Sequence, residues 1–215
     1  MNDEIFQERL INTLSVKRHE LYNLPNSRSL KNRLAYMIKG VNALKTLRER
    51  CNVCANSYQE MPADRVFSSL CDLYEKASSN QRSQIRSKVP AHFSESLLHF
   101  SWRMNIKALR ERDERYLKYA VISISIEDQN TDCRESTRLT ALCLHTARRI
   151  QGQTISILKD IAFRSSNKTR KLIEDFMSLP SNEGSIDRWL FVEKQVDDDI
   201  VIELMDASGH CVQKQ

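Results

Sequence analysis

Between residues 114 and 150 apolar side chains are denser and better punctuated than elsewhere in the chain. Leu139, Leu142, Cys143, Thr146 and Ile150 recur every three or four residues, which lines one face of a 3.6-residue turn. Arg134, Arg138, His145, Arg148 and Arg149 fall mostly off that face. Asp132, with Glu135 three positions on, predicts the start of this helix as a capping-box-like pair. Arg148 and Arg149, followed by Gly152, predict its end. The preceding half is ambiguous, because Ile122, Ser123, Ile124, Ser125 and Ile126 alternate with the period of a half-buried strand. The run nevertheless continues from Glu114 through Ala120 without a breaker, and a buried helix is apolar all round, so a helix is expected. A connection as short as residues 129–131 then implies an antiparallel helix pair.

The same periodicity predicts helices along most of the remaining chain. Residues 3–24 read as an amphipathic helix through Ile5, Phe6, Leu10, Leu14 and Leu21, closed by Pro25. Residues 28–50 carry Leu30, Leu34, Met37, Ile38, Val41, Leu44 and Leu47 on one side and a dense basic stripe on the other. The pattern lapses over 51–61, and Pro62 then opens a helix at a position where its missing N–H costs nothing. Val66, Leu70, Leu73, Tyr74 and Ala77 share a face of that helix. A Ser/Asn turn at 78–80 precedes a short basic helix ending at Pro90, and a long pattern from Phe93 through Phe100, Trp102 and Ile106 ends in the charged run 110–115. Two shorter helices are expected at about 154–164 and 166–178, before Pro180.

Beyond Pro180 two apolar runs, Trp189 to Val192 and Ile200 to Met205, are separated by three aspartates. They read as a small β-hairpin with Asp197 to Asp199 at its turn, or alternatively as a terminal helix. Residues 207–215 have no packing pattern and are expected to fray. The organisation is thus a helical body over 1–180, with any sub-boundary near 51–61, and a C-terminal segment over 181–215.

Composition supports the helical reading, since four glycines and four prolines in 215 residues are too few for a turn-rich all-β protein. The expected fold class is all-α, either an irregular multi-helix bundle or a short HEAT-like helical repeat. No stretch approaches the roughly 20 apolar residues of a membrane span, and the opening MNDEIFQERL is acidic and amphipathic rather than signal-like. A cytoplasmic protein with six reduced cysteines and no membrane contact is expected. Charge is uneven. Residues 1–180 hold 30 Lys and Arg against 20 Asp and Glu, net +10, whereas residues 181–215 hold 3 against 8, net −5.

Candidate chemistry is sparse. Cys51 and Cys54 form the single C-x-x-C, and Cys71 would be a third thiolate of a zinc site, but no second pair or H-x-x-H completes it, so no metal or other cofactor is expected. No nucleophile elbow and no phosphate-cradling glycine loop occurs, and no catalytic residue is assigned. Glu127, Asp128, Asp132, Arg134 and Glu135 converge on one interhelical joint, where acids at a helix end need a compensating cation. A structural ion-pair network is the first reading there, and an acid/base or metal-dependent enzyme site the other. Arg28, Lys31, Lys39, Lys45 and Arg48 are the candidate phosphate contacts if the basic stripe tracks nucleic acid.

The segment SIEDQNTDCRESTRLTALCLHTARRI, through Ile126, Glu127, Asp128, Asp132, Arg134, Glu135 and Leu142, resembles uncharacterised bacterial all-helical proteins over residues 125–150, about an eighth of the chain. The resemblance implies an all-helical fold and brings no activity with it. The functional expectation is a non-enzymatic protein-protein interaction or scaffold module built from helix pairs, with an unknown protein as partner. A basic nucleic-acid-binding protein is the alternative from another class.

Overall fold

The computed structural model describes residues 1–22, 59–127, 134–150, 174, 189–196 and 199–206. Among these residues the fold is an all-α multi-helix body with one two-stranded hairpin. Helix α1 spans Asp3–Leu14, and a single 3-10 turn follows at Arg18–Glu20. Then come α2 (Pro62–Lys76), α3 (Ser79–Lys88), α4 (Ala91–Glu111), α5 (Glu114–Glu127) and α6 (Arg134–Ile150). Strands β1 (Trp189–Val196) and β2 (Asp199–Asp206) pair antiparallel from Trp189 opposite Asp206 to Val196 opposite Asp199. The hairpin reading of this segment therefore holds over the terminal helix, and β2 lies beside α6.

Each helix boundary has a local cause. Asn2 accepts from the Glu4 N–H at 3.1 Å and starts α1. That helix stops at Leu14, ten residues short of the expected end, with Ser15 donating back to the Asn12 carbonyl at 2.8 Å. Lys17 is already extended there, so Leu21 joins the core from outside the helix. Ile5, expected on the buried face, is 47% exposed, and Phe6 and Leu10 carry that face. Ser78 and Gln81 cap α3 reciprocally, which starts the helix at Ser79 inside the expected turn. The preceding α2 ends where Arg82 donates to the freed carbonyls of Tyr74 and Glu75, at 3.0 and 2.9 Å.

Helices α4 and α5 make the most extensive interface of the body. The joint between them is two residues long. Arg112 takes the left-handed conformation at φ 51°, which ends α4, and the Asp113 carboxylate accepts from the Arg115 N–H at 2.9 Å, which starts α5. The two helices come close at small residues, where the buried Ser101 hydroxyl donates to the Ala120 carbonyl at 2.7 Å.

Helix α5 also resolves the period-two ambiguity. Ile122, Ile124 and Ile126 are all buried, as is Ser123 between them, so the second half of the helix is covered on almost every side, with α2, α4 and α6 as its main neighbours. Its serines fit because they bond backward within the helix, Ser123 to the Tyr119 carbonyl at 2.7 Å and Ser125 to that of Val121 at 3.3 Å. In α6 the buried face runs through Leu139, Leu142, Cys143 and Thr146 as expected, with Ile150 half-buried and Ser136, Thr140, Leu144 and Ala147 broadening it. The expected helices at 28–50 and 154–164, the cap at Asp132, the stop at Gly152 and the frayed end at 207–215 fall outside the described residues, and of the expected helix at 166–178 Glu174 alone is described, in helical conformation.

Leu142 is 1% exposed in the middle of the α6 face. Leu142→Ala should cost about 2 to 5 kcal/mol through lost burial and a partial cavity. Arg65→Ala, on the exposed side of α2, should stay within about 0.5 kcal/mol. Denaturant melts of the two variants check this, and similar losses would mean that the α6 face is not part of a packed core.

Candidate functional site

The most concentrated polar chemistry among the described residues is at the start of α2, deep in the body. Pro62 pre-sets the first turn, which places Asp64 at the third helical position, where a carboxylate reaches back to a free N–H. Asp64 Oδ2 accepts from the Met61 N–H at 2.9 Å. Position 64 also turns inward, so that Asp64 is only 3% exposed. Arg103, in the middle of α4 and 8% exposed, meets it with a two-pronged grip: Nε donates to Oδ1 at 2.9 Å and Nη2 to Oδ2 at 2.7 Å. Nη2 also donates to the Gln59 carbonyl, and the Tyr22 hydroxyl donates to Asp64 Oδ1.

Aromatic rings close this cluster. The Arg103 guanidinium sits 5.5 Å from the Tyr22 ring centre, and Tyr22 stacks on Phe67 at 5.5 Å and meets the His99 edge at 4.9 Å. Phe67 in turn packs against Phe93 and Phe100. Burial alone would raise the Asp64 pKa, but the hydrogen bonds from Arg103, Tyr22 and the Met61 N–H, together with the Arg103 charge, outweigh it. The carboxyl is held below its ordinary value and stays ionised, saturated by protein donors. Such an arrangement locks three segments together and offers no lone proton or open coordination position.

A second polar seam joins α2 to α5. The Tyr119 hydroxyl donates to Asp72 at 2.8 Å, Lys118 pairs with Glu75, and the Cys71 sulfur lies 3.4 Å from the Ser123 hydroxyl. Burial pushes the Cys71 thiol up to about 12, with Asp72 and Glu75 adding to it and Ser123 partly opposing. Cys143 is likewise raised to about 12 by burial, partly opposed by Ser101. Thiols of this kind behave as small apolar core residues rather than nucleophiles or metal ligands. Cys71 is therefore core packing at the α2 and α5 interface, while Cys51 and Cys54 lie outside the described residues. No group of three His, Cys, Asp or Glu able to hold a metal ion occurs among the described residues.

Near the surface, α1 and α2 leave an open groove of about 340 Å³ lined by residues that include Arg9, Asn12, Asp72, Leu73 and Lys76. Of the interhelical joint, Glu127 ends α5 and is 4% exposed, and Arg134 and Glu135 fall in the first turn of α6. Asp128 and Asp132 lie outside the described residues, as do Arg28, Lys31, Lys39, Lys45 and Arg48. No helix among the described residues is long and apolar enough to cross a membrane. Comparison of the chain with family models, with curated proteins and with solved structures yields no match.

Asp64, Arg103 and Tyr22 were not singled out by the sequence pattern. One signal was present, in that Arg103 sits three positions after Phe100, on the phase of α4 that carries apolar side chains. A charged residue in that phase calls for an opposite charge, yet nothing in the spacing designates Asp64, 39 residues away.

Asp64→Ala should destabilise the fold by about 3 to 5 kcal/mol, because it strands a buried guanidinium. The stabilisation is fully present above the unfolded carboxyl value of about 3.9 and is lost as pH falls through the lower folded value. Acid titration of stability for the wild type and Asp64→Asn should therefore converge below about pH 4, and parallel curves would show that the carboxylate is not the group responsible. In native protein, maleimide labelling mapped by mass spectrometry should leave Cys71 and Cys143 unmodified until denaturant is added. Rapid native labelling of either would contradict their place in the core.

Proposed function

We propose that the chain is a non-enzymatic helical module that binds another protein through its exposed helix faces. Support comes from the contrast between a closed interior and an open surface. In the interior, the Asp64 carboxylate and the Arg103 guanidinium are bound to each other and to Tyr22, Met61 and Gln59. At the surface, the α1 and α2 groove presents cations, an amide and an apolar side chain together. The buried network holds the segment after α1 and helices α2 and α4 in fixed geometry, the rigid support that a binding surface needs. A cytoplasmic setting and the carriage of no cofactor belong to the same reading.

The test is affinity purification of the full chain from nuclease-treated extract, followed by quantification of retained proteins. A protein retained in near-stoichiometric amount, through nuclease treatment and at physiological salt, is the expected result. Retention of nucleic acid alone, strong on heparin and falling steeply with salt, would replace this reading with the nucleic-acid alternative.

A further inference from the structure

The end of the body where α4 runs into α5 gathers arginines from three helix termini. The Ser101 hydroxyl of α4 donates to the Ala120 carbonyl of α5, and Cys143 of α6 meets the same hydroxyl, so these three residues lie at one level. From that level Glu127 is about 10 Å along α5 and Arg134 about 13 Å along α6, at a rise of about 1.5 Å per residue. If α6 ran parallel to α5, the two residues would stand about 24 Å apart along the axes and, with about 9 Å between axes, about 26 Å in all. The connection from Glu127 to Arg134 spans at most about 25 Å even when fully extended. Helix α6 therefore runs antiparallel to α5, and its last turn, with Arg148 and Arg149, returns to the level of the α4–α5 joint. Residues 107–115 and 147–150 together hold six cations against three acids. One turn further in, Lys118 is already paired with Glu75, so the excess charge lies at the rim.

Cations at a helix C-terminus answer its dipole, which accounts for Arg110, Arg148 and Arg149. Two others sit where the local structure disfavours them. Arg112 is exposed and holds the left-handed backbone at φ 51°, a conformation costly for a residue with a Cβ and free for glycine. Arg115 lies in the first turn of α5, where a cation opposes the dipole. Its side chain is 79% exposed, and a pair such as the one it makes with Asp113 contributes little at the surface. Every residue from Arg110 to Arg115 is charged, and the flanking Leu109 and Tyr116 pack against the core. A protein interface needs an apolar centre, which the described residues of this end do not offer. An interface with nucleic acid is polar and strongly positive. We infer that this end of the body binds the phosphate backbone of nucleic acid through Arg112, Arg115, Arg148 and Arg149. Lys107 and Arg110 add to the local field, while Asp113 stays engaged with the Arg115 N–H at the start of α5. Phosphate contacts carry no base sequence, so binding is general rather than sequence-specific. The inference goes beyond the protein-binding reading and does not depend on it.

The experiment is fluorescence anisotropy of a labelled mixed-sequence DNA duplex with the full chain over a series of salt concentrations, alongside thermal melts. Saturable binding that falls with salt is expected. Arg112→Gly relieves the left-handed backbone and removes one cation, so its melting temperature should rise while the slope of log affinity against log salt flattens by about 0.9. The Arg112→Gly, Arg149→Gln double variant should bind about tenfold or more weakly, Arg112→Lys should bind nearly as the wild type, and Arg65→Gln on α2 should be unchanged. Wild-type affinity in the double variant would overturn the assignment, because the duplex would then be held elsewhere on the chain. Absence of duplex binding by the wild type at low salt would overturn it too. Competition by polyglutamate as effective as that of unlabelled duplex at equal charge would replace it with a site for acidic protein. Should the double variant melt early, Arg112→Gly alone decides, and a raised melting temperature with undiminished affinity would make Arg112 a joint residue only and overturn the assignment.

Discussion

A buried carboxylate has few ways to remain charged, and the body of this protein is arranged around one of them. Asp64 is anchored to the first turn of its own helix by the Met61 N–H, to α4 by Arg103 and to the segment after α1 by Tyr22. Each of these contacts lowers the energy of the ionised form, and together they exceed the cost of removing it from water. The geometry of three segments is therefore fixed by the directionality of hydrogen bonds, while the surrounding rings of Phe67, Phe93 and Phe100 supply apolar burial without a preferred orientation of their own.

Helix α5 answers a different constraint. Its second half, from Ala120 to Glu127, is buried on almost every side, yet the sequence there contains serines among the isoleucines. Bonding of Ser123 and Ser125 to carbonyls one turn back satisfies the hydroxyls inside the helix, and their small size lets adjacent helices approach. Asn105 and Thr146 are buried without a polar partner among the described residues. Such groups cost stability in a low-dielectric interior.

Helix periodicity made most of the fold legible, because the 3.6-residue repeat of Leu139, Leu142 and Cys143, or of Phe93, Leu97 and Phe100, is a local property of the chain. The end of α1 was not legible, since Leu21 keeps the apolar phase while the backbone between leaves the helix. Polar partnerships were the least accessible. The joint acids were noticed because they are neighbours in sequence, whereas Asp64 looked like an ordinary first-turn carboxylate and Arg103 like one more cation in a basic protein. The groove residues Arg9 and Lys76 become neighbours only when α1 docks on α2, a juxtaposition that no sequence spacing encodes.

The sequence distance between the partners of Asp64 bears on the order in which the chain acquires its shape. Tyr22 precedes Asp64 by 42 residues and Arg103 follows it by 39, so the cluster closes only after two long loops have lost their freedom. During synthesis the α1 region and the start of α2 emerge well before α4. Until Arg103 arrives the carboxylate keeps its water and resists burial. Closure of the cluster thus depends on contacts of high sequence separation, the kind that raises contact order and slows folding.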